Sequence, residues 1–140
     1  MTTEKNMLRT LESLITCNSP TGYHKPIMNL LKKEFDNISV SYEETIKGAL
    51  LVTLKGTSER GRIFSAHVDT LGAMVKSIKS NGTLEFTLLG GYMFQTLESE
   101  NCTLLTRDGK EISGTVQTIK PSVHIHGNEA RTLERKQENM

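Results

Sequence analysis

A chain of 140 residues with 17 basic and 16 acidic side chains carries a formal charge of +1. That balance excludes the basic excess of a nucleic-acid-binding surface or a polybasic membrane segment. Hydrophobic residues make up 36%, with four Phe, three Tyr and no Trp, so a core is possible but not generous. No apolar run approaches the roughly 18 residues of a membrane span. The opening Met1-Thr-Thr-Glu-Lys-Asn6 lacks the basic-then-apolar layout of a secretory leader. Cys17 and Cys102 stand far apart, which suits a reducing cytoplasm better than a disulfide framework or a Cys-rich zinc site. A cytoplasmic protein, free of nucleic acid and membrane, is the expectation.

The first third reads as two helices. Met7, Leu8, Leu11, Leu14 and Ile15 recur at helical spacing through Cys17. Asn18-Ser-Pro-Thr-Gly22 then breaks the pattern with turn-forming residues. A second stretch places Ile27, Leu30, Leu31 and Phe35 on one face and Lys32, Lys33 and Glu34 elsewhere. Pro26 fits its first turn, where a missing N–H costs little. Both stripes are expected to pack inward. Strands are expected next, over Ile38 to Ile46 and Ala49 to Leu54. After the polar turn Lys55 to Gly61, a third strand is expected over Ile63 to Ala66. Helices followed by strands suggest the opening of an α/β layered domain.

After Gly72 the texture changes. Met74 to Lys79 and Thr83 to Leu89 flank Ser80-Asn81-Gly82, a strong short-range hairpin signal. Cys102 to Thr106 and Glu111 to Ile119 flank Arg107-Asp-Gly-Lys110, a second one. Four short strands without a helix between them predict a separate small β unit, barrel-like in form. The boundary falls near Gly72 to Met74. Asn128 to Met140 is polar and charged, with Leu133 its one sizeable apolar residue before Met140. It reads as a solvated helix, a disordered tail, or the point where a longer protein has been cut.

The chemistry concentrates in Arg62-Ile-Phe-Ser-Ala-His67-Val-Asp69-Thr-Leu-Gly72. If Ile63 to Ala66 is a strand, His67 and Asp69 leave its end on one face, since strand side chains repeat every two residues. A neutral imidazole is a common metal ligand, and a nearby carboxylate can fix its tautomer and orientation. Strand ends are also where open α/β sheets place their chemistry. The other histidines are His24, at the start of the second helix and expected to face solvent, and His124 and His126. On a strand the last two would point to one side and could chelate. The plainer reading is a polar strand or loop beside Pro121. No His-Glu-x-x-His, Cys-x-x-Cys or Asp-Asp pair is present. Ser65, His67 and Asp69 can be drawn as a triad, but neighbours on one strand do not have triad geometry. A catalytic zinc site needs three protein ligands, and the residues single out one ligand with its orienting carboxylate.

Asn18-Ser-Pro-Thr-Gly-Tyr23, Lys47 to Gly56, Ser65 to Val75, Leu89-Gly-Gly91, Asp108-Gly-Lys110 and Pro121-Ser-Val-His124 occur in that order. In this the chain resembles the amino-terminal part of the M42 metallo-aminopeptidases, a family whose members are also labelled glutamyl aminopeptidases and endoglucanases. The likeness runs from about residue 8 to 126, and Ser65 to Val75 is its most specific part. The resemblance implies an α/β catalytic domain, here residues 1–73, with an inserted β-rich dimerisation domain, here part of it over 74–127, and both incomplete. It implies two divalent metal ions, zinc or cobalt, and assembly of full-length relatives into large homo-oligomers. On the matching positions His67 would be a metal ligand and Asp69 the carboxylate that holds its imidazole. The bridging aspartate, the glutamate base and the other ligands of such enzymes have no counterpart before Met140.

The expected function is therefore metal-dependent removal of N-terminal residues from peptides. The chain by itself is expected to be inactive, to bind metal weakly or not at all, and to be poorly soluble. The rival reading is a non-catalytic association module, or a remnant of a split aminopeptidase. Glycoside hydrolysis ranks below both, since no suitably placed carboxylate pair stands out.

Overall fold

The computed structural model describes residues 3–140. They form two compact units, one ending at Gly72 and one beginning at Ala73.

In the first unit, helix α1 spans Glu4–Ile15 and helix α2 spans Lys25–Asn37. Glu4 places a negative charge in the first turn of α1, where the helix dipole favours it. Pro26 lies in the first turn of α2, as its missing N–H predicts. Ile27 in α2 is completely buried. Phe35 packs on Tyr42, with ring centroids 5.8 Å apart. The Lys32 ammonium meets the Glu44 carboxylate at 2.6 Å and ties α2 to the first strand. Strands β1, Glu43–Glu44, and β2, Leu50–Leu51, pair antiparallel, with Glu43 opposite Leu51. Their turn needs Gly48, which holds φ at +83° against the His24 ring.

Two sequence expectations fail in this unit. The apolar stripe of α1 does not pack inward: Met7, Leu8, Leu11 and Ile15 are all more than half exposed. Periodicity creates an apolar face, but a second surface must cover it. The expected strand Ile63 to Ala66 is also absent, and 52–69 carry no strand at all. Ile63 is 95% exposed and Phe64 fully so. Backbone N–H and C=O groups form a ladder only against a neighbouring chain segment. Among the described residues no strand pairs with this segment. The pairing closest to it is a parallel bridge between Pro20 and Thr70.

Strand β3, Gly72–Ile78, begins at the last residue of the first unit and, in the second, forms a hairpin with β4, Leu84–Leu89. Asn81 and Gly82 make its turn as the sequence predicts. Gly82 takes φ +83°, and the Asn81 side-chain oxygen accepts from the Thr83 N–H at 3.1 Å. Strands β5, Asn101–Leu105, and β6, Glu111–Thr115, form the second hairpin, with Thr103 opposite Ser113. Each hairpin stays a separate two-stranded sheet. The expected barrel does not close, because β4 and β5 are joined through a short 3-10 turn, Phe94–Thr96, and are not paired.

Of the alternatives open for the charged end, its first part takes the helical one. Helices α3, Val123–His126, and α4, Asn128–Thr132, precede a 3-10 turn at Gln137–Asn139. Ala130 and Met140 are buried. The Arg135 guanidinium donates to both oxygens of Glu98, at 2.7 and 2.9 Å, and to the Leu133 carbonyl at 2.6 Å. This two-pronged pairing holds the Glu98 carboxyl below its usual range. Gln137 donates to the Phe86 carbonyl at 3.0 Å. Composition suggested that these residues had nothing to bury; their polar groups instead find specific acceptors. No helix among the described residues is long and apolar enough to cross a membrane.

Candidate metal centre

The turn after α1 builds the site. Ser19 is buried and makes three hydrogen bonds to the segment that carries the His-x-Asp pair. Its hydroxyl donates to the Val68 carbonyl at 2.6 Å. Its N–H donates to the Thr70 hydroxyl at 3.1 Å. Its carbonyl accepts from the Thr70 N–H at 3.1 Å. Gly72 extends the contact: a Cβ there would lie 2.5 Å from that of Pro20, so only glycine allows the approach.

These bonds act on residues 68 and 70, which flank Asp69. Val68 and Thr70 are half-buried, while the side chains of His67 and Asp69 are 85% and 56% exposed. The alternation that a strand would produce is thus present without a strand ladder. His67 Nδ1 lies 2.7 Å from Asp69 Oδ1. An ionised carboxylate only accepts, so the contact requires hydrogen on Nδ1. In a neutral ring this leaves the lone pair on Nε2, pointing away from Asp69. That is the arrangement of a histidine ready to ligate a metal through Nε2.

The other histidines do not join it. His24 precedes α2, is exposed, and lies against Gly48. It borders a shallow open cleft with Lys25, Met28 and Glu44, whose carboxylate is engaged by Lys32. His124 and His126 stand on α3 and not on a strand or loop. Two positions along a helix turn a side chain by roughly 200°, so the chelating geometry considered for a strand is lost. Beyond them, the Glu129 carboxylate is held below its usual range, chiefly by its hydrogen bond to Lys120.

Among the described residues no three His, Cys, Asp or Glu side chains gather as a metal-binding group. The residues present therefore fit one arm of a divalent-metal site and not a closed coordination sphere. Ser19 and Thr70 are the site residues that pattern reading passes over. In the sequence Ser19 looks like part of a helix-breaking turn, and only its spatial partners reveal what it holds.

The profile of the M42 glutamyl aminopeptidase family matches residues 48–140. YhfE of Bacillus subtilis (strain 168), named as a candidate aminopeptidase, is 38% identical over the whole chain, which spans 40% of that protein. Among solved structures, the TET aminopeptidase from the marine sediment archaeon Thaumarchaeota archaeon SCGC AB-539-E09 superposes with a TM-score of 0.81 at 23% identity. It covers 97% of this chain, which in turn covers 37% of it. The TET1 peptidase of Pyrococcus horikoshii, described as assembling into a tetrahedron or a large octahedral shell, superposes with a TM-score of 0.71 at 24% identity. There the coverage is 96% of this chain and 37% of that one. The chain thus spans about two fifths of the length of these proteins, and over that span it shares the mixed helix-and-strand fold of the two solved structures.

Proposed function

The chain belongs to the M42 glutamyl aminopeptidase family, and from that premise we propose that His67 and Asp69 form one ligand arm of a two-metal aminopeptidase centre. The observation that carries the reading is the 2.7 Å contact between His67 Nδ1 and Asp69 Oδ1. His67 would bind zinc or cobalt through Nε2, and Asp69 would hold the ring. When bound, a metal pair of this kind activates water and polarises the scissile carbonyl of an N-terminal peptide bond. The arm alone does neither, because a tight site needs several deprotonated ligands in fixed geometry.

Residues 1–73 are read as the amino-terminal part of the catalytic domain. Residues 74–127 are read as part of the dimerisation domain, followed by the extension 128–140. The substrate is a peptide with a free N-terminus. Association with further copies is supported by the assembly described for the Pyrococcus horikoshii peptidase. The free thiols of Cys17 and Cys102 suit the cytoplasm. The second reading, an association module without turnover, is favoured by the exposed apolar face of α1.

Titration of the 140-residue chain with Zn²⁺, followed at the four histidine rings by NMR, tests the assignment. His67 should respond first, with weak affinity, and His67→Ala should remove that response. A silent His67 would overturn it. A stoichiometric site tighter than about 1 μM would reveal further ligands in this chain. Hydrolysis of leucyl, glutamyl and lysyl anilides with added Co²⁺ should be absent. Turnover that follows the protein through purification and disappears in Asp69→Ala would refute the one-arm reading.

A further inference from the structure

We propose that Ser19 is a positioning residue for the His67–Asp69 pair, acting through the backbone on either side of Asp69. The inference rests on the metal-arm reading for its purpose but not for its geometry.

His67 lies in a segment with no strand neighbour among the described residues, and its side chain is largely in water. A hydrogen bond between two exposed side chains in an unpaired segment should open readily, since solvent competes for both groups and both lose rotamer freedom on closing. Something must restrict the backbone if the pair is to persist. Ser19 supplies the restraint. It grips Val68 through its hydroxyl and Thr70 through both of its own main-chain groups. These bonds fix the main chain on both sides of Asp69, in a segment where the Val68 and Thr70 side chains are half-buried and those of His67 and Asp69 alternate to the exposed side.

Ser19 itself is 1% exposed, and all of its polar groups that reach this segment are engaged. The Oγ bond to Val68 is the shortest of the three. The bond to Thr70 Oγ1 is independent of the Ser19 side chain, so the grip can be weakened from either end. The clamp thus shifts the cost of orienting Asp69 from an exposed side chain to a buried backbone contact.

The test uses the 15N-labelled chain and reads the tautomer of His67 from its ring nitrogens. In the parent, the Nδ1–H form should dominate. Ser19→Ala removes the bond to Val68, and Thr70→Val removes the acceptor of the Ser19 N–H while keeping the shape. Each should move His67 toward the Nε2–H form and weaken Zn²⁺ binding at His67 about 10-fold, the low end of what lost outer contacts cost a ligand. Thr70→Ser keeps the hydroxyl and should restore the parent tautomer. Cooperative melts establish that each variant is folded.

Folded Ser19→Ala and Thr70→Val variants with the parent tautomer would overturn the inference. So would loss of the fold in both, since Ser19 would then hold the unit and not the pair. The tautomer separates this inference from the metal reading. If His67 binds no Zn²⁺ in any variant but its tautomer follows Ser19, the clamp stands and the ligand assignment falls.

Discussion

Ile27 is the place where the first unit should be most sensitive. Among the described residues it is the one completely buried apolar side chain, at 0% exposure, and it lies in α2 two residues after the helix begins. Full burial of such a side chain is worth roughly 1.5–3 kcal/mol in transfer free energy. Truncation also leaves a cavity, so Ile27→Ala should cost about 2–5 kcal/mol and Ile27→Val about 0.5–1.5. A domain of this size loses roughly 4–8 °C in Tm per kcal/mol, so even the lower alanine figure shifts the midpoint by about 8 °C or more. Leu11 is the control. It belongs to an equally regular apolar stripe but is 53% exposed, so Leu11→Ala should stay within about 0.5 kcal/mol. Urea titration followed by circular dichroism at the helical minimum reads both. The denaturant slope should not change, which keeps the comparison one of stability. If Leu11→Ala costs as much as Ile27→Ala, α1 is packed in solution, and the argument that the stripe lacks a cover is wrong.

The Arg135–Glu98 pair predicts an acid-side dependence of the second unit. The Glu98 carboxyl titrates below its usual value of 4.5, first because of its hydrogen bond to Arg135. Its contribution is therefore complete above the unfolded value and lost as the pH falls through the lower folded one. Arg135→Ala should flatten the loss of stability as the pH falls below the usual carboxylate value; an unchanged acid profile would refute the pairing. Gly48→Ala should destabilise by about 1 kcal/mol or more, because φ is +83° and the new methyl would meet His24 Nε2 at 2.7 Å. Adding His24→Ala should recover only the steric share, and full recovery would mean that backbone strain is negligible. The exposed Ile63, Phe64 and α1 stripe should drive self-association. Light scattering should find heterogeneous oligomers that Ile63→Ser with Phe64→Ser reduces, and a monodisperse parent monomer would refute this.

Short-range chemistry was legible in the amino-acid order. Helical spacing from Met7 onward and from Pro26 to Phe35 gave α1 and α2, since a helix closes its hydrogen bonds within a few residues. Asn81-Gly82 and Asp108-Gly109 marked their hairpins, because a tight turn needs positive φ at the glycine, and both glycines adopt it. The two-residue spacing of His67 and Asp69 was enough to expect that their side chains could meet. What the sequence left open depended on distant surfaces. An apolar run such as Ile63 to Ala66 becomes a strand only if another segment accepts its backbone, and the described residues offer only the Ser19 contacts beyond its end. The burial of an amphipathic stripe likewise requires a cover, which Ile27 finds and Leu11 does not. Arg135 reaches Glu98 across 37 residues, and Ser19 reaches Val68 across 49. No local pattern encodes either contact, because each depends on where the chain returns and not on which residue comes next. Residue order thus determined the helices, the turns and the chemistry that His67 could perform, while tertiary structure decided how that histidine is held.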